Sequence, residues 1–308
     1  MDTHKICYML AALVLSSSTP GWLSKGALTL GRDALEVRHA SVSPSDVPDA
    51  FDAREQWPNC SSIRLIPDQG ACGDCWAVAT VTAATDRWCI AKGGAENPPL
   101  SVEMMVGCCK VCGYGCGDGF PNYAWAWLAG QKGTPYGLVT GSSVQGRETF
   151  CSAYTVPRCN HYASRNDTLP SCEKGPPAKT PACPAACDAN SSYAVPFAQD
   201  VHRFSASYAV PDNEAAIRAE IFAHGPVTAG FNVYSDWVSY TGGVYQALGG
   251  EELGGHAVKI IGWGTLGAKK YWLVANSFGA KWGDAGYFKI LRGVSECGIE
   301  SSVVTGTV

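Results

Sequence analysis

The chain has 308 residues, 46% of them apolar and 16% charged, and a net charge of −4. That is enough for a large core in one domain or two closely packed ones, and with no basic run a nucleic-acid partner is not expected. The 35 glycines and 18 prolines fit a loop-rich fold and exclude a plain helical bundle.

Residues 1–21 contain an apolar run from Ile6 to Leu15 followed by small polar residues. A bilayer span needs about 20 apolar residues, so the run suits a secretory signal peptide, and no later segment reads as a span. Residues 22–46 are polar and read as a short pro-segment or linker. A folded domain is expected from residue 47 to 308. Fifteen cysteines in a chain with a signal peptide point to an oxidising compartment and a disulfide framework. Setting aside Cys7 in the signal, six bridges would leave two thiols, and spacing alone does not fix the pairs.

Asp74 to Ala91 reads as a buried helix, capped by Asp74 and apolar nearly all round. Further helices are expected over Leu100–Val106 and Asn122–Gly130, with the loop CCKVCGYGCGDGF between them. Residues 150–194 hold Cys151, Cys159, Cys172, Cys183 and Cys187 among many Pro, Ser and Asn. A stapled loop of this length is usually functional. Asp212–His224 reads as an amphipathic helix, and HAVKIIGWG, KKYWLVANSF and GYFKILRG as strands. A helical first half and a β second half predict an α+β fold with two lobes and a cleft between them.

Cys72 and Cys75 in QGACGDCWA can be read in three ways. A redox pair would need a βαβ context, which is missing. A zinc half-site could borrow Cys108, Cys109 and Cys112, although such thiols tend to oxidise in secreted chains. A thiol nucleophile at a helix N-terminus would be favoured by the helix dipole. It would need an imidazole, a group to orient it and an oxyanion donor. His202 and His224 read as structural, and His4 and His39 precede residue 47.

QGACGDCWA resembles the active-site motif of the papain-family cysteine proteases. GGHAVKIIGWG and YWLVANSFGAKWGDAGYFKI resemble that family's histidine and asparagine segments. FDAREQWPNC, CCKVCGYGC and FCSAYTVPRCNHY…TPACPAAC resemble its cathepsin B group. The resemblance spans residues 47–308 and implies a papain-like fold, with the cysteine helix in one lobe and the histidine and asparagine in a β-barrel-like lobe. It implies Cys75 as nucleophile and Gln69 with the Cys75 N–H as the oxyanion hole. His256 would be the acid–base partner, Asn276 would orient it, and Trp282 would shield their hydrogen bond. His256 and Asn276 lie 181 and 201 residues after Cys75, against about 130–150 in cathepsin-type sequences. The excess is roughly the size of the long cysteine loop. The implied pairing is Cys60–Cys89, Cys72–Cys116, Cys108–Cys183, Cys109–Cys112, Cys151–Cys187 and Cys159–Cys172, with Cys75 and Cys297 left over.

The same resemblance makes the region 151–187 an occluding-loop region. Two loop histidines of the family hold a substrate's terminal carboxylate; here His161 matches the first and Tyr162 replaces the second. A His161–Asp68 pair would latch the loop and open as His161 deprotonates, favouring dipeptide release in acid and endopeptidase action near neutral pH. A charge-swapped Asp167–Lys281 pair is a second expected latch. Asn166, Asn190 and Asn59 lie in glycosylation sequons. The non-primed cleft maps to Asp118, Gly119 and Gly255, with substrate backbone pairing expected to survive Asp118. Ser302, at the base of the second specificity pocket, would favour hydrophobic or aromatic side chains over arginine. Phe278 would wall the primed side.

Asp74 stands where the family has serine. Its charge is expected to raise the thiol pKa and detune an otherwise ionised Cys75. The function implied is a cysteine protease, an endopeptidase with weakened peptidyl-dipeptidase activity. The alternative is an impaired homologue that binds peptides or partners without turnover. No cofactor or metal is implied. The implied partners are peptide and protein substrates and cystatin-type inhibitors, and the implied state is a monomer in the lysosome, the endosome or outside the cell.

Overall fold

A computed structural model describes residues 35–95, 98–131, 137–142, 149–161 and 168–308. The signal-peptide segment, Tyr162, Asn166 and the Asp167 end of the expected Asp167–Lys281 pair lie outside the described residues. In chain order the elements are β1 (Phe51–Asp52), α1 (Ala53–Gln56), α2 (Cys75–Ala91), α3 (Val102–Cys108), α4 (Pro121–Leu128), β2 (Ala206–Ala209) and α5 (Glu214–His224). They continue with β3 (Val227–Tyr234), α6 (Ser235–Val238), β4 (Val244–Tyr245), β5 (Glu252–Leu266), β6 (Lys269–Ala275), β7 (Tyr287–Leu291) and β8 (Val303–Thr307). The fold is α+β. One sheet runs in the order β2-β8-β3-β5-β6-β7-β4, with β1 added to β5.

Helix starts follow the caps more closely than the apolar periodicity. Ser101 Oγ accepts from the Met104 N–H and starts α3, and Asn213 accepts from the Ala216 N–H and starts α5. Pro121 opens α4, where its missing N–H costs nothing. These residues move each start one or two positions from the expected one. α2 departs differently. Asp74 is its N-cap residue, but the side chain makes no capping hydrogen bond. The carboxylate turns instead to the Tyr154 hydroxyl, 2.7 Å away.

Two hydrophobic cores define the lobes. One gathers around the sheet, with Phe231, Trp237, Trp263, Trp272 and Phe288. The other gathers around α2, with Trp76, Val81, Leu100 and Trp125. α2 is buried without a break from Cys75 to Arg87. Its threonines survive that burial because Thr80, Thr82 and Thr85 donate back to the carbonyls of Trp76, Val78 and Val81.

The division into a helical half and a β half is not clean along the chain. The early β1 joins the sheet lobe, with Phe51 opposite Trp263 and the two rings stacked at 4.9 Å. Conversely, Ala209 of β2 and Val304 of β8 lie in the helical core. Leu35 is also buried there, and Arg38 and Glu36 exchange backbone hydrogen bonds with Ala209 at the edge of β2. Strand pairing, invisible to local pattern, carries these ends across.

Buried charges fasten the lobes. Lys259 Nζ on β5 meets Asp86 Oδ2 on α2 at 2.6 Å, both fully enclosed. Arg87 on α2 bonds Glu220 on α5 at 2.8 Å and also donates to the carbonyls of Gly225, Pro226 and Gly306. Burial pushes the Asp86 carboxyl up and Lys259 pulls it down. Replacing Lys259 by Met strands that carboxylate, and we expect urea unfolding to show a loss of about 3–5 kcal/mol. The loss should shrink in acid, where Asp86 takes up a proton, and a Lys259→Met/Asp86→Leu double variant should recover much of it.

Candidate active site

Disulfides separate the two cysteines of QGACGDCWA. Cys72 is bonded to Cys116 and Cys109 to Cys112, so neither can serve as a redox partner or thiolate ligand for Cys75. The remaining bridges are Cys60–Cys89, Cys108–Cys183, Cys151–Cys187 and Cys159–Cys172, and Cys75 and Cys297 remain thiols. Among the described residues one cluster brings potential metal-ligating atoms together, Cys159, His161 and Cys172. Both of its sulfurs are committed to a disulfide.

Cys75 is the first residue of α2 and is fully buried. The N–H groups of Ala257 and Trp76 hydrogen-bond its sulfur. Ala257 follows His256 on β5, so the strand that carries the imidazole also touches the thiol. His256 Nε2 and Asn276 Oδ1, which follows β6, are 2.8 Å apart. Asn276 Oδ1 also accepts from the Ser277 N–H, which fixes it as an acceptor. Nε2 therefore carries the proton, and in the neutral ring Nδ1 is left as the basic nitrogen. Phe231, Trp237 and Phe278 pack against the His256 ring at 6.0, 5.6 and 4.9 Å. Trp282, expected to shield the His256–Asn276 bond, packs behind them against Trp237 at 4.7 Å.

This dry setting favours uncharged groups. Burial, opposed by the Asn276 hydrogen bond and helped by His161, lowers the His256 pKa to about 4. Burial raises Cys75 to about 12; the Ala257 N–H opposes it, and Asp118 and then Asp74 add to it. Both shifts run against the expected thiolate–imidazolium pair, because desolvation opposes the helix dipole. Asp74 does raise the Cys75 pKa, as expected, although Asp118 acts on it more strongly. Asp74 is itself pushed up to about 8 by burial.

Gln69 is held by its neighbours. Its main-chain N–H donates to Ser277 O, its side-chain oxygen accepts from Ser277 Oγ, and Nε2 donates to Cys72 O. The Cys72 carbonyl, which can only accept, therefore fixes which end of the amide is NH2. Sequence reading missed Ser277, although it adjoins Asn276. It also missed Trp237 and Tyr154, for which the linear sequence offers no signal.

Around this centre, Gly119 lies flat on the Trp76 indole, where a Cβ would come within 2.5 Å of the ring. Its N–H donates to Asp118 Oδ1. The Asp118 carboxylate therefore occupies the donor that backbone pairing with a substrate was expected to use. Gly255 immediately precedes His256 and pairs with Asn232. Ser302 is buried, and its carbonyl accepts from the N–H of Gly230, which faces Ala257 across β3 and β5. On the other side His161 meets Asp68 at 3.1 Å and stacks on Phe278 at 4.4 Å, so Phe278 lies between His161 and His256. Asn59 and Asn190 are exposed, as a glycan would require.

Comparison with known proteins matches residues 47–307 to a family described as papain family cysteine protease. A Caenorhabditis elegans protein named cathepsin B-like cysteine proteinase 4 is 47% identical over 272 residues, covering 88% of this chain and 78% of its own. A gut-specific cysteine proteinase from the same organism is 44% identical, with 89% and 78% covered. Among solved structures, procathepsin B S9 from Trypanosoma congolense aligns with a TM-score of 0.76 at 34% identity, covering 95% of this chain and 89% of its own.

Asp118→Gly frees the Gly119 N–H and removes the stronger of the two carboxylates acting on Cys75. Alkylation of Cys75 at fixed pH should quicken by roughly two- to tenfold, the return on about 0.5–1.4 kcal/mol of lost repulsion. An unchanged rate would show that Asp118 does not reach the thiol.

Proposed function

The chain belongs to the papain family of cysteine proteases, and from that premise we propose that Cys75, His256, Asn276 and Gln69 form its catalytic set. The observation that carries this reading is the 2.8 Å His256–Asn276 bond, made through Nε2 beside the Cys75 helix terminus. It turns the basic Nδ1 into the acceptor for a thiol proton. The Cys75 proton passes to Nδ1, and sulfur attacks the substrate carbonyl. The oxyanion is held by the Cys75 N–H and the Gln69 amide. The imidazolium then protonates the departing amine, leaving an acyl-enzyme. Water, giving its proton to His256, hydrolyses the thioester and returns the thiol. A covered site keeps the pair neutral. Admitting water and substrate lowers the burial cost, and the helix N-terminus and the Ala257 N–H then favour the thiolate.

The protease acts on peptides and proteins, principally as an endopeptidase. His161, held by Asp68, supplies one ligand for a substrate's terminal carboxylate, with Tyr162 in place of a second histidine, so peptidyl-dipeptidase action is weakened. Ser302 cannot neutralise a guanidinium, so the second pocket prefers hydrophobic or aromatic groups. Residues 22–46 are the pro-segment of a secreted or lysosomal protein, and the six disulfides suit such a compartment. One observation favours a second reading, a peptide-binding homologue without turnover: Asp118 occupies the Gly119 N–H.

An epoxide-type thiol inhibitor should label Cys75 alone in mildly acidic buffer, and Cys75→Ser should remain unlabelled by mass spectrometry. Gln69→Ala should lower kcat by about 10²–10³ without abolishing labelling. Labelling without peptide turnover would favour the second reading. His161→Ala should reduce dipeptide release relative to endopeptidase activity, and an unchanged ratio would remove His161 from carboxylate binding. Phe-Arg substrates should outrun Arg-Arg ones.

A further inference from the structure

Asp74 Oδ2 lies 2.7 Å from Tyr154 Oη, and Tyr154 Oη lies 2.9 Å from the main-chain oxygen of Gln69. Asp74 and Gln69 are fully buried and Tyr154 nearly so. A phenol has one proton to give. With Asp74 ionised, that proton serves the carboxylate or the carbonyl, and the other contact is oxygen lone pair against oxygen lone pair. With a proton on Asp74, the acid O–H donates to Tyr154 Oη and the Tyr154 O–H donates to Gln69 O. Both short contacts are then hydrogen bonds.

The surroundings favour the second arrangement. Asp74 Oδ1 has no hydrogen-bond partner among the described residues, which a buried carboxylate anion tolerates badly. The ionisable groups facing this line are all acids: Glu103 from α3 towards Asp74 and Tyr154, Asp68 towards Tyr154, and Cys75 beside Asp74. Glu103 is itself tied to Thr155 through its N–H and hydroxyl, next to Tyr154 on the loop. Among the described residues no cation contributes to either shift.

We propose that protonated Asp74 and Tyr154 are positioning residues, a neutral acid–phenol–carbonyl relay that clamps the Gln69 main chain to the start of α2 and to the stapled loop behind it. The relay bears on catalysis only where Gln69 serves the oxyanion, as proposed above. It also explains why the N-cap side chain leaves the helix end uncapped: Asp74 is spent as a donor to Tyr154. In acid the residue next to the nucleophile is then uncharged. At alkaline pH its ionisation breaks the relay and places a negative charge beside Cys75.

The sign of the effect on stability separates this role from a charged helix cap. Burial, offset by the Tyr154 hydrogen bond and reinforced by Glu103, raises Asp74 from 3.8 to about 8. The folded protein keeps a proton that the unfolded chain releases, so stability falls as pH rises across that interval. Asp74→Asn retains an N–H donor for Tyr154 Oη without titrating. Its Tm should therefore gain on the wild type between pH 3.8 and about 8 and then run level. A charged cap would make the variant lose ground as pH rises through 4.

Difference infrared spectroscopy on a Cys75→Ala background should find a protonated carboxyl band in mild acid, lost with a midpoint near pH 8 and missing in Cys75→Ala/Asp74→Asn. No such band, or a Tm difference of opposite sign, overturns the proposal. Neither readout needs turnover, so both stand apart from the success of the protease reading. In the active enzyme, Asp74→Asn should extend the alkaline limb of kcat/KM to higher pH. Asp74→Ala and Tyr154→Phe should lower kcat roughly fivefold, the value of one hydrogen bond, with KM near wild type. Equal losses for Asp74→Asn and Asp74→Ala would also overturn the relay.

Discussion

A helix buried on every side is stable only where its polar groups find partners, and α2 meets most of that demand through both lobes at once. Its threonines satisfy themselves against the preceding turn. Asp86 and Arg87 look outwards to Lys259 and Glu220 on the sheet side. Thr228 on β3 donates to the Ala79 carbonyl and accepts from the Trp125 indole on α4. These bonds fix where α2 begins, and that sets Cys75 against Ala257 and next to the strand bearing His256. Position at the chemistry is thus inherited from charges buried some three turns away.

The same dryness that makes these pairs specific decides the protonation states. Cys75, His256, Asp74 and Asp86 are all enclosed, and for each the largest influence is lost hydration. Neutral forms win wherever a compensating charge is missing. Asp86 has a lysine against it, whereas Asp74 has only a phenol. Two aspartates on or next to one helix thereby acquire different chemistry, one as half of an ion pair and one as a hydrogen-bond donor.

The α+β class, the buried helix, the family motifs and the identities of the bridged cysteines were legible because each depends on local pattern or on a contiguous motif. The six bridges formed here are those that the motif resemblance implied. What stayed hidden depends on neighbours distant in sequence. Tyr154 reaches Asp74 across 80 positions, and nothing near Asp74 announces it. Ser277 is beside Asn276, but its grip on Gln69 spans 208 positions. The helix end and the histidine that favour an ionised thiol can be read from sequence, whereas the depth of burial that opposes it cannot. The Asp118 bond to Gly119 was missed for another reason: a side chain that bonds the next residue's N–H depends on local backbone conformation that composition does not specify.

The exchange of chain ends between lobes has an evolutionary corollary. β1 lends the sheet lobe a strand from the early chain, while residues of β2 and β8 help fill the helical core. Neither lobe is a contiguous stretch of sequence, so neither can be excised, duplicated or recombined as a cassette. Variation in length must collect where the chain leaves both cores and returns. The disulfide-stapled segment between Cys151 and Cys187 is such a place. New specificity in this architecture is therefore expected to arise by remodelling one tethered excursion rather than by shuffling modules.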